Sequence, residues 1–192
     1  MSKKIIPPWR PRLEEKSVRE YLMRYNLSIG DTLRCLPLAL LGIRGYYAKS
    51  MGETPRNERG IYDDALFVVS VNAYAAFNAN TDPTLTRPKM ASLVEGCYFY
   101  SLGIHRGRKA QYPAVVQNGQ VTVKRDGGKI ETDNPTQGQR FGINIHKGGY
   151  TNTSSEGCQT IHPAQWDAFL SLVTAEATRY GLKFFPYVLV EQ

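Results

Sequence analysis

The sequence predicts an α+β fold in which a β-rich domain over residues 61–192 follows a helical N-terminal extension over residues 1–60. Residues 65–71, ALFVVSV, form a continuous apolar and β-branched run, which is typical of a buried strand. Residues 163–181 begin with proline, repeat apolar side chains on one face and end with glycine, a pattern that predicts a helix. With 192 residues, of which 42% are hydrophobic, the chain is large enough for one sizeable domain.

The N-terminal extension combines an arm, two helices and a loop. Residues 1–12 are rich in proline and basic side chains and predict an irregular arm. Residues 14–25 predict an amphipathic helix, because four apolar side chains recur there at helical spacing. The four are Val18, Tyr21, Leu22 and Tyr25. A second helix, interrupted near Pro37, is predicted over residues 29–41, and the turn formers of residues 44–62 predict a long loop.

Further strand signals follow in the second part of the chain. Residues 95–104 and 112–130 contain apolar and aromatic runs, and the second segment includes an Asn-Gly dipeptide that predicts a hairpin. Residues 141–146, FGINIH, alternate apolar side chains with small and polar ones, which predicts a strand with one buried face. Residues 182–190 predict a final strand after the C-terminal helix.

The composition limits the classes of partner. The formal net charge of +7 favours polyanions such as nucleic acid, anionic lipid or acidic wall polymers. Lys and Arg are spread along the chain without a zinc-finger or RNA-recognition motif, so no specific nucleic-acid partner is expected. Charge-driven DNA binding remains an open alternative. The longest apolar run, residues 36–43, is too short to cross a bilayer, so no membrane insertion is expected. The sequence indicates no oligomeric state.

The three cysteines differ in their surroundings. Their odd number and the lack of CxxC spacing argue against a disulfide scaffold and against a cysteine-rich zinc site. Cys35 and Cys97 lie in apolar runs and are predicted to be structural. Cys158 lies in a polar loop, after Ser-Glu-Gly and before Gln-Thr, with no apolar neighbour until Ile161. This setting favours a reactive thiol.

A histidine and this cysteine flank the most glycine-rich loop of the chain. His146 ends the predicted strand of residues 141–146, and Cys158 precedes the C-terminal helix. The loop between them can fold the thiol into hydrogen-bond reach of the imidazole, which would accept its proton and leave a nucleophilic thiolate. Gly157 permits close approach of a substrate, and main-chain amides around Cys158 would form an oxyanion hole. Ser155 would orient the loop or contact the substrate.

The pattern His-x-Gly, a loop, then Ser-x-Gly-Cys resembles the active-site signature of the L,D-transpeptidase (YkuD-type) family of peptidoglycan enzymes. The resemblance implies that Cys158 is the nucleophile and His146 the base. It also implies that the main-chain carbonyl of Lys147 completes the catalytic group. Ser155 and Gly157 match the family residues that lead into the cysteine. The resemblance implies that Gly157 belongs to the catalytic group.

Three positions depart from the family pattern. Glu156 replaces the histidine before Gly-Cys, and Gln159 and Thr160 replace an aliphatic residue and an arginine. The substrate-binding residues that we predict are Ser155, Gln159, Thr160 and Arg106. Because the family's arginine is absent, the carboxylate of a donor stem peptide would need another basic residue. The candidates are Arg106, Arg108 and Arg140.

The resemblance covers roughly residues 62–162 and implies a cysteine-dependent peptidoglycan-modifying enzyme. It would act on stem peptides through a thioester that water or an amine resolves, so hydrolysis and transpeptidation are both open. Residues 59–84 and the Ser-Ser-Glu-Gly-Cys motif resemble proteins of tailed phages and prophages of Gram-negative bacteria, which implies a wall-degrading lysis role. The N-terminus lacks an apolar h-region, so no signal peptide is expected. The protein would be made in the cytoplasm and act at the bacterial cell wall or periplasm after release or non-Sec export.

Two other classes of function compete with this enzyme. The departures at Gln159 and Thr160 leave open a non-catalytic wall-binding or phage structural protein with a degenerate L,D-transpeptidase fold. A glycosidase would need two paired carboxylates, and nothing in the spacing singles out such a pair.

No cofactor and no metal are predicted. The histidines lack HxxxH or HxH spacing, so a zinc site would have to combine distant residues. These would be His105, His146 and His162 with Asp63 or Asp64. His105 is instead predicted to be an exposed loop residue, with a contact to the site or substrate as the alternative. His162 is predicted to help start the C-terminal helix, with a role in the site as the alternative.

Overall fold

The protein is described here as a computed structural model that covers residues 4–30, 35–51, 54–88, 90–107 and 110–192. Within these ranges the chain forms two α-helices, eleven strands and one short 3₁₀-helix. The helices are α1 (Glu15–Met23), the 3₁₀-helix (Pro135–Gln137) and α2 (Pro163–Arg179). The strands are β1 (Leu38–Arg44), β2 (Asp64–Ser70), β3 (Tyr74–Asn80), β4 (Ala91–Leu93), β5 (Gly96–Arg106), β6 (Gln111–Gln117), β7 (Thr122–Arg125), β8 (Ile130–Thr132), β9 (Ile145–Lys147), β10 (Gln159–Ile161) and β11 (Phe185–Glu191).

Eight of these strands close into a barrel in the order β1-β11-β5-β6-β9-β10-β3-β2. The pairs β1–β11 and β9–β10 are parallel, and the other neighbours are antiparallel. Strands β4, β7 and β8 form a separate three-stranded sheet. Closure removes exposed sheet edges, which would otherwise invite pairing with other chains. The coarse prediction of a β-rich α+β fold is confirmed.

Two hydrophobic clusters lie on opposite faces of β1 and β2. Alternate residues of these strands, among them Leu40 and Leu66, pack with α2 in the larger cluster. The intervening residues, among them Leu41 and Phe67, pack with α1 in the smaller cluster. Every residue of β2 is buried, which confirms the predicted buried strand. Full burial of each Leu or Phe side chain stabilises the fold by about 1.5–3 kcal/mol.

The predicted helix over residues 29–41 is wrong for its last part. Residues 38–41 belong to β1, which pairs with β2 and β11, and Ile29 forms an isolated bridge with Leu36. Residues 31–34 of that prediction lie outside the described ranges. A short leucine-rich run is compatible with either element, and here burial on both faces between two neighbouring strands decides for a strand. Strand β1 therefore joins the part of the chain before residue 61 to the barrel.

The predicted Asn-Gly hairpin over residues 112–130 is also wrong. Strand β6 pairs with β5 and β9 in the barrel, whereas β7 pairs with β4 and β8 in the small sheet. The Asn-Gly dipeptide therefore connects two sheets. A tight turn occurs instead between β7 and β8, where Gly128 N–H donates to Arg125 O.

The C-terminal elements follow the sequence closely. Helix α2 buries the predicted face, with Trp166, Phe169, Val173 and Ala177 all in the core, and β11 is the predicted last strand. The predicted strand over residues 141–146 is much shorter, because only its last two residues enter β9. Within the described ranges, neither α-helix has the length and apolar character needed to cross a bilayer.

A buried charged cluster joins β1, β2 and the segment after β3. Arg44 donates hydrogen bonds to the hydroxyl (3.0 Å) and the carbonyl oxygen (2.8 Å) of Thr81. The guanidinium also forms ion pairs with Asp82 (3.4 Å) and Glu191 (3.6 Å). Asp64 accepts hydrogen bonds from the main-chain N–H (2.6 Å) and the hydroxyl (2.8 Å) of Thr81. We refer to Arg44, Asp64, Thr81, Asp82 and Glu191 as the arginine cluster.

Candidate active site

Four neighbouring barrel strands, β5, β6, β9 and β10, bring the candidate residues together. His105 near the end of β5 pairs with Tyr112 at the start of β6. His146 lies on β9, in register with Thr160 of β10, and Cys158 directly precedes β10. Parallel pairing of β9 with β10 therefore places the end of the loop beside its beginning, although the two strands are separated by the whole glycine-rich segment.

The cluster contains one thiol and two imidazoles. One ring nitrogen of His105, one of His146 and the sulfur of Cys158 all lie within 4.8 Å of one another. The two imidazole rings are stacked, with centroids 4.1 Å apart and planes 22° apart. His146 is buried, whereas His105 and Cys158 are partly exposed. We refer to these three residues, with Tyr112 and Asn144, as the thiol–imidazole centre.

The thiol of Cys158 is held by the main chain of the segment before β9. Its sulfur donates a hydrogen bond to Gly142 O and accepts one from Asn144 N–H, both at 3.4 Å. Burial raises the pKa of Cys158 to about 11, and the nearby Glu156 carboxylate also raises it, whereas the Asn144 N–H acts in the opposite direction. The resting group is therefore a neutral thiol.

The imidazole of His146 is oriented by the residue that follows it. Nδ1 of His146 lies 2.8 Å from the carbonyl oxygen of Lys147. Because a carbonyl only accepts hydrogen bonds, Nδ1 carries the proton and Nε2 keeps a free lone pair. The pKa of His146 is lowered to about 4, first by burial and then by the adjacent His105, while the Lys147 carbonyl acts in the opposite direction. The Tyr112 hydroxyl lies 3.1 Å from the same Nδ1 and donates to Lys147 O at 3.4 Å.

Asn144 links the remaining parts of the centre. Its side-chain oxygen accepts from Gln117 N–H at 3.0 Å, which leaves Nδ2 to donate to Nδ1 of His105 at 3.2 Å. Its main-chain N–H donates to the sulfur of Cys158, and its carbonyl accepts from Gln159 N–H at 2.8 Å. One residue thus contacts the thiol, the second imidazole and the start of β10.

Ser155 and Gly157 shape the turn that presents Cys158. The Ser155 hydroxyl donates to Cys158 O at 2.6 Å and accepts from Gly157 N–H at 3.0 Å. Gly157 has φ of +153°, and an added Cβ would come within 2.6 Å of Ala91 O, so the position requires glycine. The side chain of Ser155 is buried, and in this structure it orients the loop.

The predicted substrate-binding residues lie in different environments. Gln159 and Thr160 are fully buried, and Gln159 Oε1 accepts from Tyr187 Oη at 3.1 Å, which does not favour the predicted contact with substrate. Arg106 is exposed directly after His105 at the end of β5. Arg140 donates to Gln117 O at 2.8 Å, and Arg108 lies outside the described residues.

Sequence reasoning missed two members of the thiol–imidazole centre, Tyr112 and Asn144, and ranked a role of His105 in the site below an exposed loop position. His105 lies in a strand and is partly buried, so the prediction of an exposed loop residue is wrong. Tyr112 and Asn144 carried no predicted role. Asn144 shares one face of the FGINIH alternation with His146, and that pattern is the sequence signal that could have identified it.

Of the residues of the rejected zinc site, His105 and His146 come together, but His162, Asp63 and Asp64 do not belong to their group. His162 accepts from Ala164 N–H as the N-cap of α2, which confirms its predicted place at the start of that helix. Among the described residues, the one group of three that could share a metal ion is His105, His146 and Cys158. In that group Nδ1 of His105 already accepts a hydrogen bond from the side-chain amide of Asn144.

Comparison with protein-family models gives no match for this chain, and comparisons with curated proteins and with solved structures give none either. The function must therefore be inferred from the thiol–imidazole centre and the motif around it.

Proposed function

We propose that the protein is a cysteine-dependent enzyme that attacks a carbonyl carbon through a thioester intermediate, with peptidoglycan stem peptides as its substrates. The observation that carries the proposal is the approach of Cys158 and His146, whose sulfur and ring nitrogen lie within 4.8 Å. The Lys147 carbonyl at 2.8 Å holds the imidazole in the tautomer that a general base requires.

The reaction would begin with both groups uncharged. As the sulfur of Cys158 attacks the carbonyl carbon of a peptide bond, its proton passes to Nε2 of His146 and a tetrahedral intermediate forms. The imidazolium then gives this proton to the leaving amine, the C–N bond breaks and a thioester remains. Water or an acceptor amine attacks the thioester, which regenerates the thiol and releases an acid or a new amide. Hydrolysis and transpeptidation differ only in this acceptor.

The environment of the pair favours the second half of this proton path over the first, because the lowered pKa of His146 and the raised pKa of Cys158 oppose transfer of the thiol proton. A buried imidazole with a low pKa is a strong acid once protonated, so it would transfer its proton readily to a leaving amine. The Asn144 N–H at 3.4 Å from the sulfur would stabilise the charge that develops on it. The N–H groups of Gly157 and Gln159 are already bonded, so an oxyanion hole in this loop would use the N–H of Cys158.

The choice of peptidoglycan is supported by the motif and by charge. The His-x-Gly and Ser-x-Gly-Cys pattern resembles that of L,D-transpeptidases, and a net charge of +7 favours the acidic polymers of a bacterial wall. Arg106 is exposed directly after His105 in β5, but consecutive strand residues point to opposite faces, so its position does not add to this support. With the resemblance to phage and prophage proteins, these features support a wall-degrading lysis protein that acts at the cell wall after release or non-Sec export.

The test is incubation of the purified protein with peptidoglycan sacculi, followed by mass spectrometry of released or rearranged muropeptides. Cys158→Ala should abolish the change, and Cys97→Ala is the matched control, since Cys97 is an exposed thiol outside the centre. Activity of Cys158→Ala equal to that of the wild type would rule out the thioester mechanism.

A non-catalytic wall-binding protein is the second candidate. It is favoured by the hydrogen bonds of the Cys158 sulfur, both of which go to the main chain, and by the raised pKa of the thiol. This candidate predicts that wild type and Cys158→Ala both cosediment with sacculi and that neither alters the muropeptide profile.

A further inference from the structure

We infer that His105 is a positioning residue of this reaction, a ring that holds the His146 imidazole against the thiol and leaves His146 as the group that takes the proton. This role depends on the function proposed above. The His105 side chain lies far from the His146–Cys158 segment in sequence and reaches it through the pairing of β5 with β6.

The stack fixes the plane of the base. Nδ1 of His146 contacts the Lys147 carbonyl and the Tyr112 hydroxyl, but contacts at one ring atom leave the ring free to tilt about it. The His105 ring, 4.1 Å away and nearly parallel, covers one face and removes that freedom. A tilt that displaced Nε2 by 1 Å would cost about a hundredfold in rate.

Hydrogen bonding fixes the His105 ring in turn. Nδ1 of His105 accepts from Nδ2 of Asn144, whose orientation is set by Gln117 N–H. His105 is therefore the tautomer with its proton on Nε2. The same Asn144 donates its main-chain N–H to the sulfur of Cys158, so one residue sets the position of the second imidazole relative to the thiol.

Charge couples the two imidazoles but does not choose between them. The titratable and charged groups around His146 are His105 on β5, Tyr112 on β6, Cys158 before β10 and the adjacent Glu156. Two stacked rings cannot both carry a positive charge without strong repulsion. Burial lowers the pKa of both rings, and the larger lowering is at His146. The hydrogen bond from Asn144 that occupies Nδ1 of His105 is therefore what assigns proton transfer to His146.

A shared metal ion is the competing role for the same three side chains. Two imidazoles and a thiolate suit Zn²⁺. The observed hydrogen bonds favour positioning, because His105 already uses its Nδ1 lone pair to accept from Asn144. Metal content of the purified protein is therefore one readout of the test.

The test compares His105→Ala with His105→Phe, which restores a flat ring without nitrogen atoms. We expect kcat of His105→Ala on sacculi to fall about 10–100-fold with KM within about twofold. The acid limb of its pH–rate profile should move to higher pH, because His146 loses a neighbour that disfavours its charge. His105→Phe should recover kcat to within about fivefold of the wild type, since it restores the stack. If His105→Ala does not melt cooperatively, His105→Leu replaces it, because leucine fills the space without a flat face.

Two results would overturn the positioning role of His105. Unchanged kcat and an unchanged acid limb in His105→Ala or His105→Leu would remove the positioning role, as would one equivalent of bound zinc that these variants lose. The His105 variants are also compared by the rate at which iodoacetamide alkylates Cys158, which needs no substrate. The background is Cys35→Ala with Cys97→Ala, because both of these thiols are free and at least partly exposed. Full activity of Cys158→Ala would overturn the proposed function alone, and the alkylation profiles would still decide whether His105 acts on the His146–Cys158 pair.

Discussion

The thiol–imidazole centre and the arginine cluster both bury titratable side chains near strand ends, yet they differ in how fully those side chains are paired. In the arginine cluster, Arg44 meets two carboxylates and Asp64 accepts two hydrogen bonds from Thr81. In the thiol–imidazole centre, no carboxylate is hydrogen-bonded to either imidazole among the described residues, and His146 keeps a free lone pair. Saturated pairing suits a structural role, whereas a nucleophile beside an unsatisfied base suits chemistry.

The largest effect is expected at the base of the thiol–imidazole centre. His146→Ala should lower kcat/KM on sacculi by about 10²–10⁴-fold, because the thiol loses its proton acceptor. The unfolding free energy should fall by about 1–3 kcal/mol, because truncation of a buried ring leaves a cavity and removes a hydrogen bond. Muropeptide release and urea melts measure the two quantities. A variant that kept its rate would break the assignment of chemistry to this centre.

Substitution in the arginine cluster should lower the stability of the protein and leave its rate nearly unchanged. Arg44→Ala leaves Asp64 and Asp82 buried without their countercharge and should lower the unfolding free energy by about 3–5 kcal/mol. The rate per folded molecule should stay near that of the wild type. Arg106→Ala is the matched control, because an exposed arginine should change stability by about 0.5 kcal/mol or less. Equal urea midpoints for the two variants would contradict a structural role for the cluster.

A pH dependence of stability should come from Asp63, which adjoins the arginine cluster. Burial raises the pKa of Asp63, the neighbouring Asp64 raises it further, and Oδ1 of Asp63 has no hydrogen-bond partner. The folded state therefore holds a proton that the unfolded state releases above about pH 4. The stability contribution is complete below that pH and is lost as the pH rises towards the raised pKa.

Asp63→Asn should accordingly flatten the dependence of the unfolding free energy on pH between acid and neutral conditions. Urea melts of both proteins across this range measure the slope. A slope equal to that of the wild type would show that another group is responsible.

The smallest effect is expected at the phenol that supports the base. Tyr112→Phe removes a hydroxyl 3.1 Å from Nδ1 of His146 while the Lys147 carbonyl remains in place. One hydrogen bond is worth about 1 kcal/mol, so kcat should fall about fivefold. A loss as large as that of His146→Ala would instead assign the proton path to Tyr112.

Sequence reasoning recovered those parts of the centre that depend on nearby residues. Cys158 stood out because its neighbours are polar, and His146 because it ends an alternating run. Helix α2 was predictable from its own periodicity and terminal residues. The L,D-transpeptidase resemblance and the catalytic roles stay predictions.

The missed features all depend on pairing between distant segments. His105 reaches the centre because β5 pairs with β6 and β6 with β9, which its local sequence does not encode. The Asn-Gly dipeptide is a strong local hairpin signal, but the pairing of β6 and β7 with other strands overrides it. The leucine-rich run of β1 looks helical until its two neighbouring strands are known.

The buried contact between Gln159 and Tyr187 has a consequence for the N-terminal strand. Gly42 of β1 lies so close to the Tyr187 phenol that any added Cβ would overlap its oxygen. That phenol donates to Gln159, the residue directly after Cys158. A fragment that begins at residue 61 would lack β1, would open the barrel between β2 and β11, and would remove the main chain against which the phenol packs. Strand β1 and the loop that carries Cys158 therefore belong to one folding unit.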